Sequence, residues 1–239
     1  MPKKNNVRAQ VKKVAGHIND YLVNDLSFVA LLFILIFIVF VLPVLIELGH
    51  LDMFFVNLVF IFLFFTGIWS CNNRNLVVLT TTLFLMQVAL KLLRIGEVQQ
   101  NIYLLERIFG IVNMGVFIFL NVRLLFKDQE VNLYRVIGAI NVYLLLAIMG
   151  AFGFEIIQLT IGSSIENLNQ SLISKSITGV EKDFASHLYF SLVSLTTVGF
   201  GDYTPVNILS KMLAVFLSTS GILYPTVVIA RLVGAGFRN

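Results

Sequence analysis

Six apolar stretches of the chain are long enough to cross a lipid bilayer as helices. A helix needs about 20 mostly apolar residues to span a hydrocarbon core about 30 Å thick. The first stretch is too long for the core of a signal peptide and no small-residue cleavage site follows it, so we expect it to be retained. The predicted spans lie close to Ser27–Ile46, Met53–Ser70, Leu76–Leu93, Ile102–Phe126, Val136–Leu159 and Val206–Val233.

A shorter apolar segment, Phe184–Leu195, lies between the fifth and sixth predicted spans. It is too short to cross the membrane, and Asp183 can cap the free N–H groups at its start. Glycine-rich backbone follows it, and such backbone is tolerated at membrane depth only where it is buried in protein or lines a water-filled path. The pattern therefore predicts a re-entrant loop that begins with a half-length helix.

Apolar residues also recur before the first span, at spacings of four and three that place them on one face of a helix. They are Val7, Val11, Val14, Ile18 and Tyr21. Basic residues lie off that face, so we expect residues 1–26 to form an amphipathic helix on anionic lipid head groups of the cytoplasmic leaflet. A short tetramerising coiled coil is the alternative, although the repeat is brief for one.

The composition is typical of a membrane protein and argues against several other classes. Hydrophobic residues make up 58% of the chain, charged residues 13%, and the mean hydropathy is +0.90. A soluble domain is about half apolar and a quarter charged. The net charge of +4 comes from residues in the tail and loops, so we expect no nucleic-acid partner. The single cysteine, Cys71, excludes an intrachain disulfide.

The basic residues predict the orientation of the chain. Five of them precede the first span, which places the N-terminus in the cytoplasm by the positive-inside rule. Six spans return the C-terminus to the cytoplasm and place the re-entrant loop on the outer side. The expected location is the plasma membrane, which is the inner membrane if the source is bacterial, and the compact chain suggests a prokaryote.

The segment after the half-length helix reads Leu195-Thr196-Thr197-Val198-Gly199-Phe200-Gly201-Asp202. It resembles the signature of potassium channels, T-V-G-Y/F-G-D, at every position, with Phe200 in place of the commoner tyrosine. The resemblance implies an all-α membrane fold in which a pore helix and a selectivity filter lie between the fifth and sixth spans. One loop supplies a quarter of an axial ring, so the resemblance also implies a homotetramer.

By this resemblance, potassium ions bind to backbone carbonyls of Thr197, Val198, Gly199 and Phe200 and to the Thr197 hydroxyl, which replace the hydration shell of the ion. Gly199 and Gly201 can adopt the unusual dihedral angles that such an arrangement needs. The side chains of Val198 and Phe200 are expected to turn away from the axis towards surrounding helices. We expect no cofactor apart from the K⁺ ions in the filter.

Other residues are expected to support the filter and to gate the pore. A hydrogen bond between Tyr189 and Asp202 is a hypothesis for support behind the filter. Gly221 stands where the family's inner helix commonly has its hinge glycine, and Pro225 cannot donate a hydrogen bond to the Gly221 carbonyl. The alternative is a packing glycine with an incidental proline kink.

Three residues of the last span are candidates to line the inner pathway. They are Ile222, Pro225 and Ile229. With this inner helix, residues 131–239 form the predicted pore domain.

Residues 27–130 are expected to form a four-helix scaffold without a voltage sensor. A useful sensor places several arginines at every third position of one helix. The fourth predicted span offers only Glu106, Arg107 and Arg123. Lys91 and Arg94 at the end of the third span are expected to extend to the membrane interface.

Two further polar residues near the re-entrant loop require an explanation. Glu155 lies near the outer end of the fifth span, where a carboxylate is costly unless it is paired, and we expect its partner on the pore loop or at Lys211. His187 could sense pH, but a single histidine is more often only hydrogen-bonded.

The predicted function is passive, potassium-selective conduction without strong voltage gating. A cation channel that also conducts sodium is one rival, although an acidic residue in place of Phe200 or the loss of Gly201 would be its sign. A potassium uptake transporter is another, but such proteins resemble four pore repeats in one chain. An enzyme is disfavoured because the sequence contains no metal-ligand cluster, nucleophile motif or phosphate loop. The gating stimulus stays open among lipid, tension, pH and the filter itself.

Overall fold

The computed structural model describes residues 27–49, 53–69, 74–93, 100–127, 133–167 and 180–236. Most of these residues are helical. The helices are α1 (Ser27–Glu47), α2 (Met53–Trp69), α3 (Arg74–Leu93), α4 (Gln100–Lys127), α5 (Leu133–Ile161), α6 (Val180–Leu195) and α7 (Ile208–Gly236). Two short strands, β1 (Ile165–Asn167) and β2 (Tyr203–Pro205), complete the described elements.

Each predicted span coincides with a helix, but the helices differ in how well they could cross a membrane. Within the described residues, four are long and apolar enough to do so: Ser27–Glu47, Asn101–Arg123, Leu133–Ile161 and Ile208–Gly234. The apolar parts of α2 and α3 are shorter, at Phe54–Thr66 and Val77–Leu93. The fold is therefore a mostly helical membrane protein, with the number of spans left as a prediction.

Helix α1 changes its winding in the middle. A turn of π-helix occupies Phe37–Val41, and Pro43 lies at the start of the segment that follows. Proline has no N–H to donate to the carbonyl four residues earlier, which is a common cause of a local defect in a helix. The end of α1, Leu42–Glu47, then packs against α6.

Helix α6 packs against several other helices. It contacts α1, α5 and α7, and its residue Phe184 meets rings of α2 and α5. The ring centroids of Phe60, Phe152 and Phe184 are 5.4 to 6.0 Å apart. Offset and edge-to-face ring pairs at such distances stabilise a core beyond the area that they bury. We call these three residues the aromatic cluster.

Small residues let α5 approach α6 and α7 closely. A Cβ at Gly150 would overlap Ser191 Oγ on α6 and lie 2.7 Å from a methyl carbon of Leu217 on α7. The Ser191 hydroxyl donates a hydrogen bond to the Ala147 carbonyl of α5 at 2.7 Å. Small residues and interhelical hydrogen bonds of this kind favour helix association in membranes, where apolar burial alone does not drive it.

Two expectations about charged residues are wrong. Lys91 does not extend to the interface, because its side chain is buried and its Nζ lies 2.6 Å from Glu106 Oε1 on α4. Glu155 pairs neither with the pore loop nor with Lys211, because its Oε2 lies 2.7 Å from Arg107 Nε on α4. Both errors have one cause, which is that the packing of α4 against α3 and α5 brings these charges together inside the protein.

Several other expectations lie outside the described residues. They include the amphipathic helix at residues 1–26, Cys71 and Arg94. The helix that carries the half-length apolar segment starts at Val180, earlier than the predicted start at Phe184.

The packing of Gly150 gives a prediction about stability. Replacement of Gly150 by alanine forces the Ser191 and Leu217 side chains to move, and overpacking of this kind costs about 1 to 3 kcal/mol. We therefore expect a lower midpoint of thermal unfolding for Gly150→Ala in detergent. The matched control is Gly115→Ala on α4, where a Cβ meets nothing within 4 Å. Helix propensity predicts that this control variant is neutral or more stable by up to about 1 kcal/mol. An equal loss of thermal stability in both variants would contradict the close packing at Gly150.

Candidate functional site

The end of helix α6 sets the course of the segment that follows it. The Val198 N–H donates to the Val193 carbonyl and the Thr197 N–H donates to the Ser194 carbonyl, both at 3.1 Å. These two bonds form a Schellman motif, in which the residue just past the helix adopts the left-handed conformation. That residue is usually glycine, but here it is Thr197, with a φ of 59°.

The sign of φ alternates along the next residues. It is positive at Thr197 (59°), Gly199 (60°) and Gly201 (81°), but not at Val198 or Phe200. The two glycines adopt such angles without a steric penalty, whereas a β-branched residue is strained there. Alternation of this kind rotates successive peptide planes in opposite senses, so consecutive carbonyls can face one side, unlike those of a regular strand. Strained backbone of this type clusters at functional sites.

Side chains of this segment have few neighbours within the chain. Val198 is 54% exposed and Phe200 is 70% exposed. A Cβ at Gly199 or Gly201 would meet nothing within 4 Å, so conformation and not lack of space is what requires glycine there. Within the part of the chain that the structure describes, Val198 and Phe200 therefore lie largely open.

A hydrogen bond joins α6 to the residue after the segment. The Tyr189 hydroxyl donates to Asp202 Oδ2 at 2.9 Å, as hypothesised from the sequence. The Tyr189 ring also meets the Tyr203 ring edge to face, at 5.7 Å between centroids, and the Tyr203 hydroxyl lies 3.3 Å from Ser186 Oγ. The outer end of the segment is thus tied to the flank of α6 by two tyrosines.

A small antiparallel sheet, which the sequence did not indicate, holds the chain beyond Asp202. Strand β1 pairs with β2 so that Ile165 lies opposite Pro205 and Asn167 opposite Tyr203. The Val206 N–H extends the pairing with a bond to the Ser164 carbonyl at 3.0 Å. The loop after α5 is therefore joined directly to the backbone that follows the glycine-rich segment.

His187 and Asn207 strengthen this connection from opposite sides. His187 is buried, its Nε2 lies 2.7 Å from Ser164 Oγ, and its Nδ1 meets the Asp183 carbonyl. The Asn207 side chain donates to the Ser163 carbonyl and accepts from the Ser210 N–H, so it also caps the start of α7. Both ring nitrogens of His187 have partners in the neutral form, which favours the hydrogen-bonded interpretation over a pH sensor.

The inner end of the segment is fixed by close contact between α6 and α7. A Cβ at Gly221 would overlap the Leu195 carbonyl oxygen. The Ser218 hydroxyl donates to the Ser194 carbonyl at 2.9 Å, and the Tyr143 hydroxyl of α5 lies 3.4 Å from the Leu195 carbonyl. Gly221 is therefore required for packing in this conformation, which was the alternative to a hinge.

The remaining residues of the predicted inner pathway lie on an open face of α7. Helix α7 continues through Pro225. Ile222 is 59% exposed and Ile229 is 60% exposed. Within one chain these side chains lie on a surface, and they can line a path only where several copies meet.

Side-chain metal ligands do not cluster in the part of the chain that the structure describes. Among those residues, no group of three or more His, Cys, Asp or Glu side chains could hold a metal ion. The alternation of φ from Thr197 to Gly201 instead allows successive backbone carbonyls to face one side.

Comparison with known proteins bears on the part of the chain that contains this site. A family model described as an ion channel matches residues 142–237. The match covers about two thirds of α5 and all of α6, the glycine-rich segment and α7, and it supports an ion channel. Searches of curated proteins and of solved structures found no match.

The Tyr189 hydroxyl gives a testable prediction for this site. Tyr189→Phe removes only the hydroxyl that donates to Asp202, and a hydrogen bond to a charged group contributes about 1.5 to 3 kcal/mol. We expect a lower midpoint of thermal unfolding than for Tyr134→Phe, which removes the same hydroxyl in the first turn of α5. Identical unfolding curves for the two variants would show that the Tyr189–Asp202 bond does not hold the segment.

Proposed function

We propose that the chain is one subunit of a potassium-selective channel that conducts K⁺ passively across the plasma membrane. The observation that carries this proposal is the alternation of φ at Thr197, Gly199 and Gly201. It occurs within the T-V-G-F-G segment at the end of a helix that is too short to span, in the region matched by the ion-channel family. A channel needs no enzymatic chemistry and no organic cofactor.

The selectivity would arise from oxygen atoms of the main chain. A cation that enters the filter loses water and must find oxygens of nearly equal energy in its place. The carbonyls of Thr197, Val198, Gly199 and Phe200, with the Thr197 hydroxyl, would supply them. The C-terminal end of α6 carries the negative end of the helix dipole, which favours a cation just inside the filter.

A homotetramer would complete the site. One segment provides one quarter of the oxygens around an axis, and no wall among the described residues encloses the exposed side chains of Val198 and Phe200. Helix α7 is apolar, yet few of its residues are buried within one chain. Packing of α7 and the filter against neighbouring copies would account for both observations and would let Ile222 and Ile229 face a shared cavity.

The membrane arrangement that we propose has six spans. Helices α2 and α3 would cross with their polar ends in the interfaces, because a short apolar core can be accommodated by local thinning of the bilayer. Both termini would lie in the cytoplasm, with residues 1–26 on anionic lipids. Helices α1–α4 would form the scaffold and residues 131–239 the pore domain.

The first test of the proposal is flux in liposomes. We expect a K⁺ gradient to drive flux that barium blocks and that exceeds Na⁺ flux at least about tenfold, equivalent to about 1.4 kcal/mol of discrimination. Comparable K⁺ and Na⁺ fluxes would favour the non-selective cation channel instead.

A glycine pair shows whether the flux passes through the filter. Gly199→Ala introduces strain at a positive φ within the proposed ion sites and should abolish K⁺ flux. Gly49→Ala is the matched control, since Gly49 also has a positive φ, of 70°, and open space around its Cβ position. Retained flux in Gly199→Ala, or equal loss in both variants, would count against the assigned filter.

The second test concerns voltage. Arg107 pairs with Glu155 inside the protein, so it is held in place and is not free to move through the field. Moving one charge through 100 mV is worth about 2.3 kcal/mol, more than the 1.4 kcal/mol that changes an open probability tenfold. We therefore expect the open probability in planar bilayers to change less than about tenfold over 100 mV. A steeper dependence of the open probability on voltage would require a mobile gating charge, which would contradict the proposal.

A further inference from the structure

The guanidinium group of Arg107 lies where four helices meet. Arg107 belongs to α4, is 6% exposed and pairs with Glu155 of α5, Nε to Oε2, at 2.7 Å. The Tyr103 hydroxyl donates to Glu155 Oε1 at 2.9 Å and accepts from Arg107 Nη2 at 2.7 Å. The three side chains therefore form a closed triad within the protein.

The same guanidinium group is surrounded by aromatic rings. Its Cζ lies 4.4 Å from the ring centroid of Phe152, 5.8 Å from that of Phe184 and 5.9 Å from that of Phe60. These rings are the aromatic cluster, and they belong to α5, α6 and α2 respectively. A cation within about 6 Å of a ring centroid is attracted to the ring, and more strongly where water is excluded.

Phe184 connects this arrangement to the filter. It lies in the second turn of α6, and the filter segment begins directly after the last turn of the same helix. A helix of 16 residues is about 24 Å long and behaves as a stiff rod, so a shift at its first turns changes the position of its other end. Thr197 follows that other end and begins the alternation of φ.

We propose that Arg107, held by its ion pair with Glu155, is a positioning residue for the ion filter and keeps the start of the pore helix in place through Phe184. Helices α1–α4 are then a functional part of the pore and not a passive scaffold. This inference rests on the proposed potassium conduction, and it concerns how selectively the filter conducts, not whether the chain folds.

A second buried ion pair offers a natural comparison. Lys91 and Glu106 are as buried as Arg107 and Glu155, and Lys91 also donates to Asn57 Oδ1 at 2.8 Å. Lys91 belongs to α3, Glu106 to α4 and Asn57 to α2. Lys91 Nζ lies 5.6 Å from the centroid of the Phe60 ring. None of these residues belongs to α6, so loss of this pair should affect the position of α6 less than loss of Arg107 and Glu155.

The experiment measures thermal stability in detergent and ion selectivity in liposomes for the wild type and three variants. They are Arg107→Gln, the double variant Arg107→Gln with Glu155→Gln, and the double variant Lys91→Gln with Glu106→Gln. Thermal unfolding in detergent is measured alongside the ratio of K⁺ to Na⁺ flux. Arg107→Gln should unfold at a lower temperature than the double variant of Arg107 and Glu155, because the single change leaves the Glu155 carboxylate buried without its ion-pair partner.

The double variant at Arg107 and Glu155 separates positioning from stability. It should regain most of the lost stability, because no unpaired charge remains. Its flux ratio should nevertheless fall about fivefold or more below that of the wild type, since the contact between the guanidinium group and Phe184 is gone. The double variant of Lys91 and Glu106 likewise leaves no unpaired charge, so it should keep most of its stability, and it should keep the wild-type flux ratio.

A ring substitution keeps the inference testable if Arg107→Gln does not fold. Phe184→Leu preserves an apolar side chain of similar size but removes the ring that faces Arg107, and it should also lower the flux ratio. Phe64→Leu is its control, because Phe64 meets Phe117 within the scaffold. A wild-type flux ratio in Phe184→Leu or in the Arg107/Glu155 double variant would overturn the inference. Absence of K⁺ flux from the wild type would instead overturn the proposed function.

Discussion

A short stretch of backbone with alternating φ cannot hold its own shape, and this constraint governs the architecture around it. Thr197 is strained by its positive φ, whereas Gly199 and Gly201 adopt positive φ without a steric penalty and are therefore flexible. The side chains of Val198 and Phe200 are largely exposed. The two ends of this segment therefore have to be fixed by the rest of the molecule. The close approach of Gly221 to the Leu195 carbonyl fixes the inner end, and the Tyr189–Asp202 bond and the β1–β2 pairing fix the outer end.

The need to hold α6 rigidly explains the composition of the helices around it. Gly150 and Gly221 allow α5 and α7 to approach it, and hydroxyl groups of Ser191 and Ser218 bridge the helices at carbonyl oxygens. Near the start of α6, the Arg107 guanidinium group lies 5.8 Å from the Phe184 ring centroid and pairs with Glu155 of α5. Conduction, in this account, depends on contacts made by every helix that touches α6.

The sequence predicted the larger elements well because their signals are local. Runs of apolar residues indicated the helices, and the short run before Thr197 indicated a helix that cannot span. The strands at Ile165–Asn167 and Tyr203–Pro205 were missed because three residues are too few for an alternating pattern. The positive φ of Thr197 was missed because threonine does not ordinarily favour it. The partner of Glu155 was predicted wrongly, since Arg107 is distant in sequence and only the packing of α4 on α5 brings the two together.

The central claim is that main-chain oxygens of four copies surround a permeating K⁺. The most direct measurement is an experimental structure of the assembled protein in thallium, with the ions located from their anomalous scattering. The account predicts four chains around one axis, with ion peaks on that axis level with the carbonyls of Thr197 to Phe200. A monomeric particle, or carbonyls that face away from any shared axis, would contradict it.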